Sequence, residues 1–362
     1  MLVFTGGYTQ DIPMASGEVV PGRSGGIACY CLEEDTGRLE LLGVTPSTPN
    51  PSWLAADPEG GYLYCVNELE ELDGVPGSGV SAYAVDPESG GLRLLGRQPA
   101  AGPLACHAAL SPDGRHLLPA SYNGGICVLP VGEDRALRTA SCAWSFQGRG
   151  ADPDRQEMSH PHQILLHPKE DRVYVCDLGT DRLRCFRADW ARGWLLPEEG
   201  NDLTARPGQG PRHGVFDRQG RRLYVLTELT GEMDVFDPET GELLQISPAL
   251  PEGWTGPGMG AAVRLHPGRR FLYASLRGPH CIAVFPVRED GILGTPSFYP
   301  SGGRTPRDFC LTPDGRWLLA GGQDDNSICV HRIDPSTGAL EQVWRVEDAG
   351  SVTALTVWNG AH

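Results

Sequence analysis

Leu311-Thr312-Pro313-Asp314-Gly315-Arg316-Trp317-Leu318-Leu319 reads as an apolar residue, a Pro-Asp-Gly turn, a basic residue and an apolar-aromatic run. Related phrases stand at Ala56 to Tyr64, Leu110 to Leu118, Leu166 to Tyr174, Phe216 to Tyr224 and Leu265 to Tyr273. Their spacing, about 46–56 residues, is the period of a four-stranded propeller blade. Such a blade cannot bury its faces alone, so the repeat calls for a stack of neighbours.

A second alternating strand follows each phrase, as in Ser81 to Val85, Met233 to Phe236 and Cys281 to Phe285. Turns such as Asp86-Pro87-Glu88-Ser89-Gly90, Asp237-Pro238-Glu239-Thr240-Gly241 and Asp334-Pro335-Ser336-Thr337-Gly338 then introduce an outer strand. Six units are complete. The N-terminus offers a second, a third and an outer strand (Leu2 to Gly6, Gly26 to Leu32, Arg38 to Val44) with no inner strand before them, and the C-terminus ends on a lone apolar strand, Ser351 to Trp358. Joining the two ends removes the exposed sheet edges. The expected fold is all-β, a seven-bladed β-propeller closed by the C-terminal strand completing the N-terminal blade, with residues 1–362 forming a single domain.

The net charge of −16 disfavours nucleic acid and anionic membranes as partners. No run approaches the apolar length of a bilayer span, and Met1 to Gly7 lacks the basic start and long apolar core of a signal peptide, so a cytoplasmic protein is expected, monomeric or weakly dimeric. Eleven cysteines, an odd number without a C-x-x-C pair, read as packed, reduced thiols.

In an antiparallel blade the start of the inner strand and the end of the second strand share one face near the axis. That filter gathers Asn67, Glu68, Cys106, His107, Tyr122, Asn123, His160, His162, Asp177, Arg212, His213, Glu228, Arg277, Arg307, Asp308 and Gln323 at one channel mouth. Arg212, Arg277 and Arg307 would present planar donor forks to an oxygen-rich anion, although each could instead pair with Asp177, Glu228 or Asp308 as blade-to-blade glue. His162 and Glu228 are the candidates for handling a proton. His167 and His266 sit in the turns of the opposite face and read as structural. His160-x-His162 would put two imidazoles on one strand face at a spacing compatible with a metal, but further ligands are not evident, so no metal is expected. Gly256-Pro257-Gly258-Met259-Gly260 is not a nucleotide loop but a connection into the sixth blade, and Gly-x-Ser-x-Gly is absent.

Ser159-His160-Pro161-His162-Gln163, Gly210-Pro211-Arg212-His213, Thr305-Pro306-Arg307-Asp308-Phe309, Tyr122-Asn123-Gly124-Gly125 and the closing Val357-Trp358-Asn359-Gly360-Ala361-His362 resemble the propeller-type 6-phosphogluconolactonases. That family also includes the fungal carboxy-cis,cis-muconate cyclases. The resemblance implies a cofactor-free, metal-independent enzyme that hydrolyses 6-phospho-D-glucono-1,5-lactone to 6-phosphogluconate in the oxidative pentose phosphate pathway. It implies a catalytic set of His162, Arg212, Glu228 and Arg277. Glu228, or His162 through it, would activate water, Arg212 would stabilise the oxyanion, and Arg277 and Arg307 would hold the phosphate. Asn67, Glu68, Tyr122, Asn123, Asp177, His107 and His213 complete the expected substrate-binding wall. Two alternatives stay open: a lactonase or cycloisomerase acting on another anionic lactone, and a non-catalytic propeller that binds a partner. The long insert between Tyr8 and Gly25 could cover the mouth.

Overall fold

The computed structural model describes residues 1–13, 19–46, 48–57, 60–72 and 74–358. Seven antiparallel sheets, each built around four strands, carry the chain. Blade 1 runs, from the axis outward, Val352–Trp358, Leu2–Gly7, Ile27–Leu32 and Leu39–Thr45, so the last strand of the chain pairs with the first (Leu2 opposite Trp358, Gly6 opposite Ala354) and closes the ring. Blades 2 to 7 begin with inner strands Leu54–Ala56, Ala105–Leu110, Pro161–Leu166, Pro211–Phe216, Gly260–Leu265 and Pro306–Leu311, each continuing outward in chain order. Blade 4 adds a short fifth strand, Leu203–Thr204, against Arg182 and Leu183. The closing Asn359-Gly360-Ala361-His362 of the sequence reading lies outside the described residues, as does the middle of the insert after Tyr8. The insert's described flanks form a two-stranded hairpin, Ile12–Pro13 with Val19–Val20.

Apolar cores lie between blades rather than within them. Tyr224, Leu226, Met233 and Val235 of blade 5 pack on Val263, Leu272, Ala274 and Leu276 of blade 6, and Val3, Tyr30 and Leu32 of blade 1 pack on Trp317, Leu319 and Val330 of blade 7. The aromatic residues that close the repeated phrase explain part of its recurrence. Tyr174 Oη donates to Pro238 O at 3.3 Å, Tyr224 Oη to Gly291 O at 2.9 Å and Tyr273 Oη to Gly338 O at 3.0 Å, each reaching a turn of the next blade, while Trp317 Nε1 donates to Glu34 O across the ring closure. His167 and His266 do the same at the turn itself: Nε2 lies 3.1 Å from Gly220 O and 3.0 Å from Gly315 O, and their Nδ1 atoms accept backbone N–H groups. All eleven cysteines are unpaired.

One irregularity places the site. In blades 3, 4, 5 and 7 the pairing of inner and second strand slips by one residue just after its first pair: Ala105 faces Ser121 but His107 faces Ala120, Pro161 faces Asp177 but Gln163 faces Cys176, Pro211 faces Thr227 but His213 faces Leu226, and Pro306 faces Gly322 but Asp308 faces Gly321. The residues left over are Cys106, His162, Arg212 and Arg307. A β-bulge breaks strict alternation and re-aims the side chain it releases. In blades 3, 5 and 7 the residue before the strand adopts a left-handed backbone (Leu104 φ 58°, Gly210 φ 65°, Thr305 φ 56°), a conformation that costs a residue bearing a Cβ and is retained where the surroundings impose it.

Candidate active site

Glu228 is the hub. It follows the second strand of blade 5 (Leu223–Thr227), and its backbone N–H donates to Gly210 O at 2.7 Å, which fixes it beside the start of the inner strand. Its Oε2 lies 2.8 Å from Arg212 Nε and 2.9 Å from an Arg277 Nη atom, while Oε1 receives Arg155 Nη2 at 2.5 Å. Among the described residues Arg212 Nε makes no directed hydrogen bond, so that contact is electrostatic; its Nη1 donates to Ala261 O at 2.7 Å. Burial alone would raise the Glu228 carboxyl, but Arg277, Arg212 and Arg155 overcome it and hold the group well below the usual carboxylate range. Burial and Arg277 together bring Arg212 down to about 9, against the pull of Glu228, which leaves it cationic at neutral pH.

His162, buried beside this cluster, is its neutral neighbour. Among the described residues its Nδ1 has no hydrogen-bond partner, and burial, then Arg212, keep it well below the ordinary imidazole value. A row of rings runs on from it: His213 at 5.1 Å, then Trp53 and His107, themselves 4.3 Å apart. Among the described residues both nitrogens of His213 lack partners; His213 is likewise held neutral by burial and then Arg212, and His107 by burial and then Arg264 and Arg212. Tyr122 stacks on His160 at 4.2 Å, meets His162 edge-on at 6.0 Å, and its hydroxyl is pushed up to about 12 by burial and then by Glu228. Arg307 lies over the ring of Tyr8 at 5.7 Å and 4.0 Å from Glu68, whose Oε1 accepts the Tyr8 hydroxyl at 3.1 Å.

The geometry thus gathers neutral imidazole, carboxylate and guanidinium groups at one end of a closed propeller. The seven-bladed β-propeller lactonase family model matches residues 3–357. This chain belongs to that family. As a lactonase it is an enzyme of the carboxylic-ester hydrolase class. It is 31% identical over 330 residues to a Bacillus subtilis protein named 6-phosphogluconolactonase (90% of this chain, 92% of the other) and 27% identical to one of the same name from Formosa agariphila (99% and 100%). Among solved structures it is similar to the Pseudomonas aeruginosa periplasmic gluconolactonase, with 29% identity, a TM-score of 0.89 and 99% of each chain covered.

Several of the residues expected to line this lactonase's site are occupied otherwise. Asp177 is fully buried and bound by Ser159 Oγ at 2.8 Å, the His160 N–H at 2.9 Å and Arg184 at 3.0 Å, so it organises the start of blade 4 rather than facing a ligand. Asn67 is also sealed: its amide donates to Pro49 O at 2.9 Å and its oxygen accepts Ser81 Oγ at 2.7 Å. Asn123 lies on an exposed turn. His160 and His162 do not share a strand face, because His160 precedes the strand and the bulge falls on His162. Among the described residues, no three His, Cys, Asp or Glu side chains gather as a metal site. Among the described residues no helix is long and apolar enough to cross a membrane.

Arg155, Tyr8 and Trp53 joined the site without having been expected. Arg155 stands in the long connection from blade 3 to blade 4, where the strand-end filter does not look. Its only local signal is Asp152-Pro153-Asp154-Arg155, a side-chain-capped turn in which Asp152 Oδ1 accepts the N–H groups of Asp154 and Arg155.

Proposed function

We propose that this lactonase hydrolyses 6-phospho-D-glucono-1,5-lactone to 6-phosphogluconate. The observation that carries the reading is charge: four guanidiniums (Arg155, Arg212, Arg277, Arg307) stand against two carboxylates (Glu228, Glu68) at the mouth of a chain whose net charge is −16. An excess of guanidiniums over carboxylates among these groups suits a dianionic phosphate.

In this reading water attacks C1 of the lactone while neutral His162 accepts its proton. Glu228, which the sequence offered together with His162 for activating water, is held as a carboxylate by three arginines and in this reading fixes those arginines. The tetrahedral oxyanion forms beside Arg212 and Arg277, whose charges act with full effect in a dry setting. Collapse breaks the bond from C1 to the ring oxygen, and the His162 imidazolium returns its proton to that oxygen. The released acid ionises at neutral pH. Arg307 anchors the phosphate, so binding energy remote from C1 positions the carbonyl. A phosphorylated lactone does not cross membranes unaided, which supports the cytoplasm as the compartment.

The test is a coupled assay with fresh 6-phosphogluconolactone and with unphosphorylated gluconolactone. A kcat/KM higher for the phosphorylated lactone by tenfold or more is expected, in line with about 1.5–3 kcal/mol for a hydrogen bond to a charged group. Equal values would move the reading to the unphosphorylated lactone, which the likeness to the periplasmic gluconolactonase favours.

A further inference from the structure

We infer that Arg155 is a phosphate-selecting residue, which on substrate binding leaves Glu228 for the phosphate of the lactone. The inference rests on the phosphorylated-substrate reading above. Of the four guanidinium side chains in the site, Arg212 is 2% exposed, Arg277 6% and Arg307 13%, while Arg155 is 36% exposed. It is also the only one of the three arginines on Glu228 that comes from a connection between blades; Arg212 lies within a blade 5 strand and Arg277 directly follows one in blade 6.

The loop's hydrogen bonds fix its backbone. Gln156, fully buried, donates to Leu178 O and to Asp181 Oδ1, both at 2.8 Å, and its oxygen accepts the Asp152 N–H at 3.0 Å. Arg155 itself is tied at its N–H by Asp152, and among the described residues its guanidinium hydrogen-bonds to Glu228 and, at 3.5 Å, to the Tyr122 hydroxyl. Glu228 does not depend on it. Two buried arginines remain on Oε2 when Arg155 departs, so the carboxylate stays compensated. An ion pair whose arginine is 36% exposed, made to a carboxylate already shared by three cations, is exchanged for a dianion that Arg307 would otherwise hold alone. Arg277, expected from the sequence to hold phosphate, is turned inward onto Glu228, and Arg155 supplies the second fork in its place.

Wild type, Arg155→Ala and Arg155→Lys are compared on both lactones, with 6-phosphogluconate and gluconate as competing inhibitors. The expected result is a KM for the phosphorylated lactone raised about 10- to 100-fold in Arg155→Ala, the range for one charge-assisted contact, with a matching loss of inhibition by 6-phosphogluconate. The ratio of kcat/KM between the two lactones then falls towards one, and Arg155→Lys lies between. If wild type prefers the phosphorylated lactone but Arg155→Ala loses equally on both, the assignment is overturned alone, because Arg155 then serves Glu228. If wild type shows no preference, the substrate reading falls and the assignment with it. A variant that folds poorly shows as a shifted melting temperature, and Arg155→Lys then carries the comparison.

Discussion

Arg212 Nε lies 2.8 Å from Glu228 Oε2, and the two residues come from the mouth ends of neighbouring strands in blade 5. The contact exists because the strand register slips at Arg212. Pro211 faces Thr227 and His213 faces Leu226, which leaves Arg212 without a partner across the ladder and turns it to the residue that follows Thr227. Both side chains are buried, so each is the other's compensation for lost hydration, and neither can be removed alone without cost.

Glu228→Gln keeps the volume and removes the charge that three arginines share. Buried Arg212 and Arg277 then repel one another uncompensated. Stability should fall by about 3–5 kcal/mol, the usual cost of breaking a buried pair, read from the midpoint of denaturant unfolding. Activity should fall on the order of 10²–10³-fold as the oxyanion donors lose their positions.

His162→Asn tests the base directly. The expected loss is on the order of 10²–10⁴-fold in kcat, as for a positioned general base, with KM little changed. A variant that turns over normally would return the role to Glu228.

Stability should fall on mild acidification. His107, His162 and His213 are all held well below the ordinary imidazole value, chiefly by burial. Below a pH of about 6.5 the unfolded chain takes up protons that the folded chain refuses. The stabilisation is therefore present above that pH and lost as pH falls, by up to about 1.4 kcal/mol per pH unit for each histidine. Glu228, also depressed, adds its own loss below the ordinary glutamate range. Unfolding midpoints at pH 7.5 and 5.5 check this, and His213→Asn should flatten the slope.

Arg307→Ala should raise KM for the phosphorylated lactone about tenfold or more, with a smaller change in kcat, since uniform binding acts on substrate and transition state alike. Tyr8→Phe, which removes the hydroxyl held by Glu68 while keeping the ring under Arg307, should have a weaker effect in the same direction. Steady-state kinetics on both variants separates them.

Deleting the chain from Val352 onward removes the inner strand of blade 1 and uncovers Val3, Phe4 and Ala28, which are buried in the closed ring. The truncated protein should lose its cooperative melting transition, observable by differential scanning calorimetry.

The ring was legible because its causes are local and repeated. A Pro-Asp-Gly turn, an aromatic two residues into the next strand, an N-terminal blade without its inner strand and a lone C-terminal strand each have a short-range signature, and the structure pairs the two ends with Leu2 opposite Trp358. The same logic brought His162, Arg212, Glu228, Arg277 and Arg307 to one mouth, because strand ends of an antiparallel blade share a face.

Sequence by itself could not separate Asp177 and Asn67, which spend their polar atoms on their own blades, from Glu228, which holds a cluster drawn from three segments. That difference depends on which neighbour stands within 3 Å, and such neighbours come from far along the chain. Arg155 was hidden for the same reason: an inter-blade connection has no periodicity, and only the anchoring of Gln156 beneath it brings its guanidinium to Glu228. The protonation preferences of His162 and Glu228 were likewise decided by the tertiary structure, since burial and the positions of the arginines, rather than the residue types, hold the one neutral and the other ionised.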